Sequence, residues 1–222
     1  MKNYFKLFFS SIVGGLAVGV GSFLYLLASY YFPDSFTIGK FVATSLFSTG
    51  LIIICLLNLA LYTGRVGLFI DERSKIKERI IDLPIILLGN TIGAFAIAIL
   101  CHFIFINFTG LQDLVVTVAN NKISSNMVFM EGVLCGTTVY IAVYSFKNLN
   151  NFAMKIIGII VPIALFVATG LQHCIANMFF FGMAFNWNVG MIWNLIVVIL
   201  GNSVGALFIW GLARLSALTT KK

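Results

Sequence analysis

The sequence predicts an all-α membrane protein whose six transmembrane helices form two inverted three-helix repeats, with the second and fifth helices interrupted. The first observation is a low charge content: 9% of the 222 residues are charged and 60% are hydrophobic. A soluble domain holds about 25% charged residues, so too few polar side chains are present here to cover a water-soluble globule. The other observations are a series of long apolar segments and a motif that occurs once in each half of the chain.

Six apolar segments are each long enough to cross a bilayer as a helix, which needs roughly 20 residues. Short polar stretches separate the segments, and no length of chain remains for a soluble domain. We therefore expect one transmembrane domain over residues 1–222, with the lipid bilayer around it. The segments lie at about 7–32, 41–62, 81–107, 126–146, 156–180 and 190–213.

The basic residues predict the orientation of these segments, because the cytoplasmic loops of membrane proteins are enriched in Lys and Arg. If the N-terminus is cytoplasmic, only Lys40 and Lys122 fall on the opposite side of the membrane. We therefore expect an integral membrane protein with both termini in the cytoplasm. The cytoplasmic set is Lys2, Lys6, Arg65, Arg73, Lys75, Lys77, Arg79, Lys147, Lys155, Arg214, Lys221 and Lys222.

Several other classes of protein do not fit the sequence. The net charge of +7 does not indicate a nucleic-acid partner, since the basic residues belong to loops and form no groove-reading face. The cysteines lie inside apolar segments without a CxxC motif, so we expect no metal, no disulfide and no cofactor. No serine motif accompanies either histidine, so we expect no enzyme activity and no catalytic residues.

Two of the segments carry a polar Thr-Gly pair within or near the end of an otherwise apolar helix. Thr63-Gly64 follows the second segment, and Thr169-Gly170 lies well inside the fifth. Glycine costs a helix interior up to about 1 kcal/mol relative to alanine. Non-helical backbone at membrane depth occurs only where protein buries it or a wet cavity adjoins it. Paired interrupted helices therefore indicate a transport site.

A short motif relates the two halves of the chain, which cover about 7–107 and 126–213. Leu-Gly-Asn-Thr-Ile-Gly-Ala begins at position 88, and Leu-Gly-Asn-Ser-Val-Gly-Ala begins at position 200. An odd number of spans per repeat gives the halves opposite orientations. We expect the amides of this motif, Asn90 and Asn202, to tie the broken segments together. The same order pairs Thr63-Gly64 with Thr169-Gly170, and Gly15 and Gly19 with Gly132 and Gly136.

His173 is the most informative single residue, because it is an ionisable group in the middle of a span beside a Thr-Gly break. Ionisable groups inside a bilayer are costly and mark functional sites by default. We expect a neutral imidazole that donates a hydrogen bond to an anion or exchanges a proton with it. The alternative is a packing residue that bridges two helices. The hydroxyl of Thr63 would donate a hydrogen bond to an anion or to a backbone group freed by the break. Asn177 follows His173 by four residues and therefore shares a helix face with it.

The residues from 170 to 179 read Gly-Leu-Gln-His-Cys-Ile-Ala-Asn-Met-Phe. They resemble the fifth-span signature of the formate/nitrite transporter family, usually Gly-Phe-Glu-His-Ser-(Ile/Val)-Ala-Asn-Met. Leu-Tyr-Thr-Gly at 61–64 is similar to the family's second-span Leu-Phe-Thr segment, and the resemblance covers all six spans in order. It implies an aquaporin-like protomer that assembles as a homopentamer in a bacterial cytoplasmic membrane, with one pore in each protomer.

The resemblance also implies what the pore passes and which residues line it. Family members conduct small monovalent anions of weak acids, such as formate, nitrite, hydrosulfide or short monocarboxylates. By its position, Lys122 resembles a basic residue that attracts anions in the family. Two apolar constrictions would flank His173, formed by Phe47, Leu51, Leu61, Tyr62, Val139 and Phe166.

The chain departs from the family pattern at positions close to these residues. The acid usual before Leu-Phe-Thr is Ala60 here, and the acid usual before the central histidine is Gln172. The asparagine common after the span-four cysteine is Gly136, and Arg65 follows the first Thr-Gly pair. Because both acids are absent, the polar network that holds His173 must differ from that of the family.

The residues and the resemblance together predict a passive or proton-linked channel for a small weak-acid anion, with proton transfer at His173. Two alternatives remain open. One is a neutral-solute channel. Aquaporins, however, carry Asn-Pro-Ala at both half-helices, and ammonia channels pair two pore histidines. This chain has neither pattern. The other is a membrane scaffold without transport, which would need neither a titratable group at a broken helix nor an inverted repeat.

Overall fold

The computed structural model describes residues 3–33, 38–67 and 76–219. Within these ranges the chain forms nine α-helices and no strand, which confirms the predicted all-helical fold class. Lys2, Arg73, Lys75, Lys221 and Lys222, used in the topology prediction, lie outside the described residues. The helices are α1 (Tyr4–Tyr31), α2 (Ile38–Leu56), α3 (Tyr62–Val66), α4 (Ile76–Ile104), α5 (Thr109–Ser124), α6 (Val128–Asn148), α7 (Phe152–Ala168), α8 (Cys174–Ala184) and α9 (Val189–Thr219).

Five of the described helices, α1, α2, α4, α6 and α9, are long and apolar enough to cross a bilayer. The fifth predicted segment instead forms two shorter helices, α7 and α8, on either side of residues 169–173. The second predicted segment is also broken, because α2 ends at Leu56 and the short α3 begins at Tyr62. The predicted interruption of the second and fifth spans is therefore confirmed.

The first break does not lie at the Thr-Gly pair, as the sequence had suggested. Thr63 and Gly64 belong to α3, and the non-helical residues are 57–61, which precede them. Asn58 in this stretch has φ of 51°, a left-handed conformation that asparagine adopts more readily than most residues. In the second half the Thr-Gly pair does lie in the break, since α7 ends at Ala168.

The sequence prediction did not include α5, which lies between the third and fourth spans and is too short and polar to count among them. Its buried residues, Leu111, Val115 and Ala119, recur every four positions, so a single stripe of the helix faces the bundle. α5 packs on α8. This packing brings Lys122, in the last turn of α5, to the break between α7 and α8.

The most extensive helix contacts are those of α1 with α4 and of α6 with α9. Glycines permit this close approach: a Cβ atom at Gly15 would collide with the backbone of Asn90, and one at Gly136 would collide with the backbone of Asn202. Small residues serve this purpose in membranes, where helices gain little from the hydrophobic effect. Gly15 therefore matches Gly136, and the predicted match of Gly15 with Gly132 is wrong.

Asn90 of α4 holds the first break together. Its side-chain oxygen accepts a hydrogen bond from the backbone N–H of Tyr62 at 2.8 Å, and its nitrogen donates to the carbonyl of Ala60 at 2.9 Å. A third hydrogen bond, to the carbonyl of Ser11 at 2.7 Å, ties this amide to α1. The groups on either side of Leu61, which have no helical partner, are thereby satisfied.

Asn202 of α9 makes the same three contacts at the second break. Its oxygen accepts from the backbone N–H of Cys174 at 2.9 Å. Its nitrogen donates to the carbonyls of Gln172 and Gly132 at 2.8 and 2.9 Å. The residue enclosed by these bonds is His173, so the imidazole projects from backbone that is held on both sides.

These bonds define which residues of the two halves are equivalent. Leu61 and His173 are the enclosed residues, so Thr63 matches Ile175. The predicted match of Thr63-Gly64 with Thr169-Gly170 is therefore wrong. Thr-Gly is a short and common pair, whereas the asparagine bonds identify equivalent backbone atoms.

Candidate functional site

His173 is the N-cap residue of α8. Its backbone is extended, with φ of −108° and ψ of 121°, and its Nδ1 accepts a hydrogen bond from the N–H of Ala176 at 3.2 Å. Because Nδ1 accepts, the hydrogen of the neutral ring is assigned to Nε2 from this hydrogen-bond pattern. Protonation of Nδ1 would displace the N–H of Ala176, so the cap favours the neutral imidazole.

The Nε2 atom of His173 lies 2.9 Å from the hydroxyl oxygen of Thr63. The ring donates in this bond and the threonine accepts, so the hydroxyl proton of Thr63 is left to donate to a further acceptor. Both side chains are buried, with 4% of His173 and 1% of Thr63 exposed. A single hydrogen bond, strengthened by its low-dielectric surroundings, thus connects the starts of α3 and α8.

A cavity of about 180 Å³ opens onto His173 and is named the His173 cavity. The Phe166 ring stacks on the imidazole with the ring centroids 6.0 Å apart, and Phe47 meets Phe166 edge-on at 5.3 Å. One side of the cavity is therefore aromatic. The polar side chains that line it include Lys122, Ser125, Glu131, Gln172 and Asn177.

Lys122 extends over the residues that precede His173. Its ammonium group donates hydrogen bonds to the carbonyls of Gly170 and Leu171, each at 2.9 Å. Part of the Lys122 side chain is exposed at the cavity. Removal of the ammonium group from water nevertheless lowers the pKa of Lys122 to about 8, and nearby groups that include Glu131 raise this pKa by a smaller amount. Lys122 is therefore mostly charged at pH 7 and becomes neutral as the pH rises through about 8.

Gly170 allows these carbonyls to face Lys122. Its φ of +75° is in the left-handed region, where a residue with a side chain would be strained. The turn ends α7 and directs two successive carbonyls at one ammonium group. Gly64, by contrast, is a helical residue of α3.

A network of amides lies beside Lys122, and two of its members, Gln172 and Asn177, line the same cavity. The side-chain oxygen of Gln172 accepts from Asn177 at 2.7 Å and from Asn194 at 3.0 Å, and Asn177 also donates to Asn194 at 2.9 Å. Asn194 in turn donates to the backbone carbonyl of Lys122 at 2.8 Å. The Oδ1 atom of Asn177 is buried without a hydrogen-bond partner among the described residues, so it is an acceptor at the cavity wall that nothing satisfies.

Gln172 connects this network to a carboxylate. Its nitrogen donates to Glu131 and to the carbonyl of Lys122, each at 2.9 Å. The hydroxyl of Ser125 donates to the other oxygen of Glu131 at 2.7 Å. The family resemblance implies an acid at position 172, and in this chain a carboxylate from α6 reaches the side chain at that position instead.

A second cavity, of about 200 Å³, opens at the first break and is named the Arg65 cavity. Leu61 and Gly64 line it on either side of Thr63 in the chain. None of the described residues lines both cavities. The hydrogen bond between Thr63 and His173 therefore joins a residue that lines the first cavity to a residue whose chain neighbour, Gly64, lines the second. The charged side chains of the Arg65 cavity are Arg65, Lys147 and Lys155.

The six predicted constriction residues do not form a single group. Those that line a cavity are Phe47 and Phe166, at His173, and Leu61, at the Arg65 cavity. Those that are buried and line neither cavity are Leu51, Tyr62 and Val139. The hydroxyl of Tyr62 lies 2.9 Å from that of Ser203, which attaches α3 to α9.

Sequence analysis missed two members of the site, Glu131 and Asn194. Glu131 is a lone acid in the first turn of α6, and its partner Gln172 is distant in the chain. Asn194 is a buried amide in α9. Polar residues near or within an apolar span were the available signal for both, since unpaired polar groups are costly there.

Comparison with known proteins places the chain in one protein family. Residues 1–216 match the family profile described as formate/nitrite transporter. The Bacillus subtilis protein named "Uncharacterized transporter YrhG" is 30% identical over 90% of this chain and 80% of its own length. The formate channel FocA of Haemophilus influenzae is 30% identical over 82% of this chain and 67% of its own length.

Solved structures share the fold. A structure described as a pentameric formate channel with formate bound has a TM-score of 0.79 and 24% identity, over 97% of this chain and 98% of that one. A structure described as an FNT family ion channel has a TM-score of 0.84 and 23% identity, over 97% of this chain and 91% of that one. The helical arrangement is therefore that of known membrane channels.

Proposed function

The chain belongs to the formate/nitrite transporter family, and on that premise we propose that it forms a channel for a small monovalent anion of a weak acid. The proposal is carried by the buried bond between Thr63 and His173, because His173 lines one cavity with a cationic side chain and Gly64, next to Thr63, lines the other. Formate, nitrite, hydrosulfide and short monocarboxylates all fit this description. The family consists of transporters and channels, not enzymes.

The charge of Lys122 attracts the anion into the His173 cavity. An ammonium group has three donors, and two of them are used by backbone carbonyls, so one is left for a ligand. Glu131 lines the same cavity and offsets part of the lysine charge. The cavity then concentrates anions without holding them tightly.

On its way past His173 the substrate meets apolar surroundings: the rings of Phe47 and Phe166 in the cavity wall, and the buried Leu51, Tyr62 and Val139 outside both cavities. Charge is costly in such surroundings. The anion therefore takes a proton from the aqueous phase, crosses as the neutral acid and releases the proton on the far side. This mechanism makes protons the co-transported species.

Thr63 and His173 stabilise the substrate at the point of crossing. The imidazole donates to the threonine hydroxyl, which directs its own proton at an oxygen of the substrate. The ring stays neutral, because its Nδ1 is occupied by the N–H of Ala176. In this mechanism His173 supplies a hydrogen bond and does not store the proton, which differs from the proton transfer that the sequence analysis predicted.

We also infer the setting of this channel. The pentameric formate channel with the same fold supports a homopentamer with one pore in each protomer, surrounded by lipid. The bacterial relatives support a bacterial cytoplasmic membrane, and the distribution of basic residues supports both termini in the cytoplasm. Lys147 and Lys155 would then place the Arg65 cavity on the cytoplasmic side. The matching bonds of Asn90 and Asn202 support inverted repeats over 7–107 and 126–213.

Transport into proteoliposomes tests the proposed function. We expect saturable flux of at least one of formate, nitrite, hydrosulfide and lactate above that of empty vesicles, and a rise in flux as the external pH falls. The same vesicles are tested with water and with ammonia. Permeation of a neutral solute without anion flux would identify a neutral-solute channel, and the absence of all flux would identify a scaffold; either result would refute the proposal.

A further inference from the structure

The orientation of the Gln172 amide is decided by groups that can only accept hydrogen bonds. Its nitrogen lies 2.9 Å from a carboxylate oxygen of Glu131 and 2.9 Å from the backbone carbonyl of Lys122. Because neither group has a proton to donate, the nitrogen must occupy this side of the amide. Gln172 is 1% exposed, so its amide depends on protein partners. The side chain of Gln172 therefore has one orientation, which Glu131 helps to define.

We propose that Glu131 is a positioning residue for Lys122. Through the side chain of Gln172 it fixes the last turn of α5, and it thereby holds the ammonium group of Lys122 at the wall of the His173 cavity. The consequence for transport rests on the proposed channel function. The positioning itself depends only on the hydrogen bonds between these residues.

Both ends of Lys122 are held by the segment that contains Gln172. Lys122 lies in the last turn of α5, where backbone carbonyls lack a partner within the helix. Its carbonyl accepts hydrogen bonds from Gln172 at 2.9 Å and from Asn194 at 2.8 Å. Its ammonium group donates to the carbonyls of Gly170 and Leu171, the two residues that precede Gln172. A change in the Gln172 side chain therefore moves the backbone of Lys122 relative to the carbonyls that its ammonium group contacts.

Glu131 is itself held at both carboxylate oxygens. One oxygen accepts from Gln172 at 2.9 Å, and the other accepts from the hydroxyl of Ser125 at 2.7 Å. The Ser125 oxygen in turn accepts from the backbone N–H of Met127 at 3.1 Å, so the turn between α5 and α6 fixes the carboxylate. Glu131 lies in the first turn of α6, where the helix dipole stabilises a negative charge. Because a charged acceptor makes stronger hydrogen bonds than a neutral one, the carboxylate holds Gln172 more firmly than an amide would.

The charge of Glu131 opposes the binding of an anion in the same cavity, since like charges repel. The described lining holds this carboxylate and the ammonium group of Lys122 beside the neutral side chains of Tyr25 and His173. If repulsion were the only effect of Glu131, removal of the carboxylate would strengthen anion binding. If Glu131 positions Lys122, removal weakens anion binding, because the ammonium group loses its place. The two effects therefore have opposite signs.

Flux of nitrite and of formate into proteoliposomes at pH 6 tests this sign. Burial lowers the pKa of Lys122 to about 8, so its ammonium group is charged at pH 6. We expect Glu131→Ala to raise the half-saturating concentration about tenfold, the effect of losing one charge-assisted hydrogen bond, with a much smaller effect on the maximal flux. Asp113→Ala, which removes an exposed acid of α5 outside the cavity lining, is the matched control and should keep the wild-type value.

Two altered backgrounds test the path from Glu131 to Lys122. Gln172→Met retains a long side chain without hydrogen-bonding groups, and Lys122→Gln removes the ammonium group. In each background Glu131→Ala should no longer raise the half-saturating concentration, because residues that act through one another have non-additive effects. A general loss of structural integrity would raise it in both backgrounds.

Chemical modification tests the positioning without transport. Acetic anhydride acetylates lysine amines, and peptide mass spectrometry measures the fraction of Lys122 that is modified over time. Two carbonyls hold the ammonium group in the wild-type protein, so we expect Lys122 to react several times faster in Glu131→Ala and at the wild-type rate in Asp113→Ala. Size-exclusion chromatography establishes that each variant keeps its assembly. If Glu131→Ala aggregates, Glu131→Gln, which keeps the shape of the side chain, takes its place.

A half-saturating concentration that falls or stays constant in Glu131→Ala would overturn the proposal. So would a rise that persists in the Lys122→Gln background, or an unchanged rate of Lys122 acetylation. Absence of anion flux from the wild-type protein would refute the channel function, and the acetylation rate would then decide the positioning by itself.

Discussion

The two ring nitrogens of His173 have separate partners, Ala176 at the helix cap and Thr63 across the break. Asparagine is a good N-cap residue, so His173→Asn retains an acceptor for the cap and removes the donor to the threonine. We expect this variant to lower anion flux about tenfold to a hundredfold, the effect of losing one hydrogen bond to a charged or developing charged group. Flux into proteoliposomes measures the change, and the elution volume of the variant should match that of wild type.

The threonine provides a matched pair of control variants for the same contact. Thr63→Ser keeps the hydroxyl and should retain most of the flux. Thr63→Val has the same shape without the hydroxyl and should resemble His173→Asn. Wild-type flux in both Thr63→Val and His173→Asn would show that the contact only packs the two helices together.

Lys122 gives the channel a pH dependence of defined sign. Burial lowers the pKa of Lys122 to about 8, so its charge is present below that pH and is lost above it. For an anion whose own charge is constant in this range, such as nitrite, we expect the half-saturating concentration to rise between pH 7 and pH 9. Lys122→Arg stays charged and should show no such rise, whereas Lys122→Gln should show the high value throughout. A constant wild-type value would contradict the prediction.

At the scale of the elements, the breaks persist because asparagines on neighbouring helices replace the missing backbone partners. Asn202→Ala would leave two buried backbone groups at the break unpaired, the N–H of Cys174 and the carbonyl of Gln172, and each such group costs about 1–3 kcal/mol. We expect a clear fall in the thermal unfolding midpoint in detergent, and a similar fall for Asn90→Ala. Asn148→Ala is the control, since this exposed amide donates only to the carbonyl of Tyr144 and its loss should have little effect.

The same bonds explain which elements could be predicted from the sequence. Spans follow from local hydropathy, so the long helices and the existence of two breaks were predictable. The position of the first break was not, because it depends on Asn90, a residue of another helix that pairs with Ala60 and Tyr62. α5 was missed because only a narrow apolar stripe buries it, and hydropathy averaged around the helix conceals such a stripe.

At the site, sequence reasoning identified His173 and Thr63 because each interrupts an apolar pattern. It did not identify Glu131 as their neighbour, since its contact with Gln172 is a product of tertiary packing. The polarity of Glu131 beside an apolar span was a local signal, but the partner of such a residue on another helix becomes visible only in the folded chain.

At the scale of the whole molecule, the spans leave many large apolar side chains on the outer surface, including Trp193, Leu200 and Phe208 of α9. Lipid or neighbouring subunits must cover such a surface. We expect native mass spectrometry in mild detergent to give the mass of five chains. A stable monomer or trimer under the same conditions would contradict the pentamer.

The carboxylate at Glu131 bears on how relatives of this chain are found. A search that demands an acid immediately before the central histidine rejects the chain, because Gln172 stands there. A search for any carboxylate within hydrogen-bond reach of that side chain accepts it, since Glu131 lies 2.9 Å away. The two positions are 41 residues apart in the chain but adjacent in space. Sequences that carry Gln at the first position should therefore tend to carry Glu at the second, and covariation across homologues would reveal the exchange.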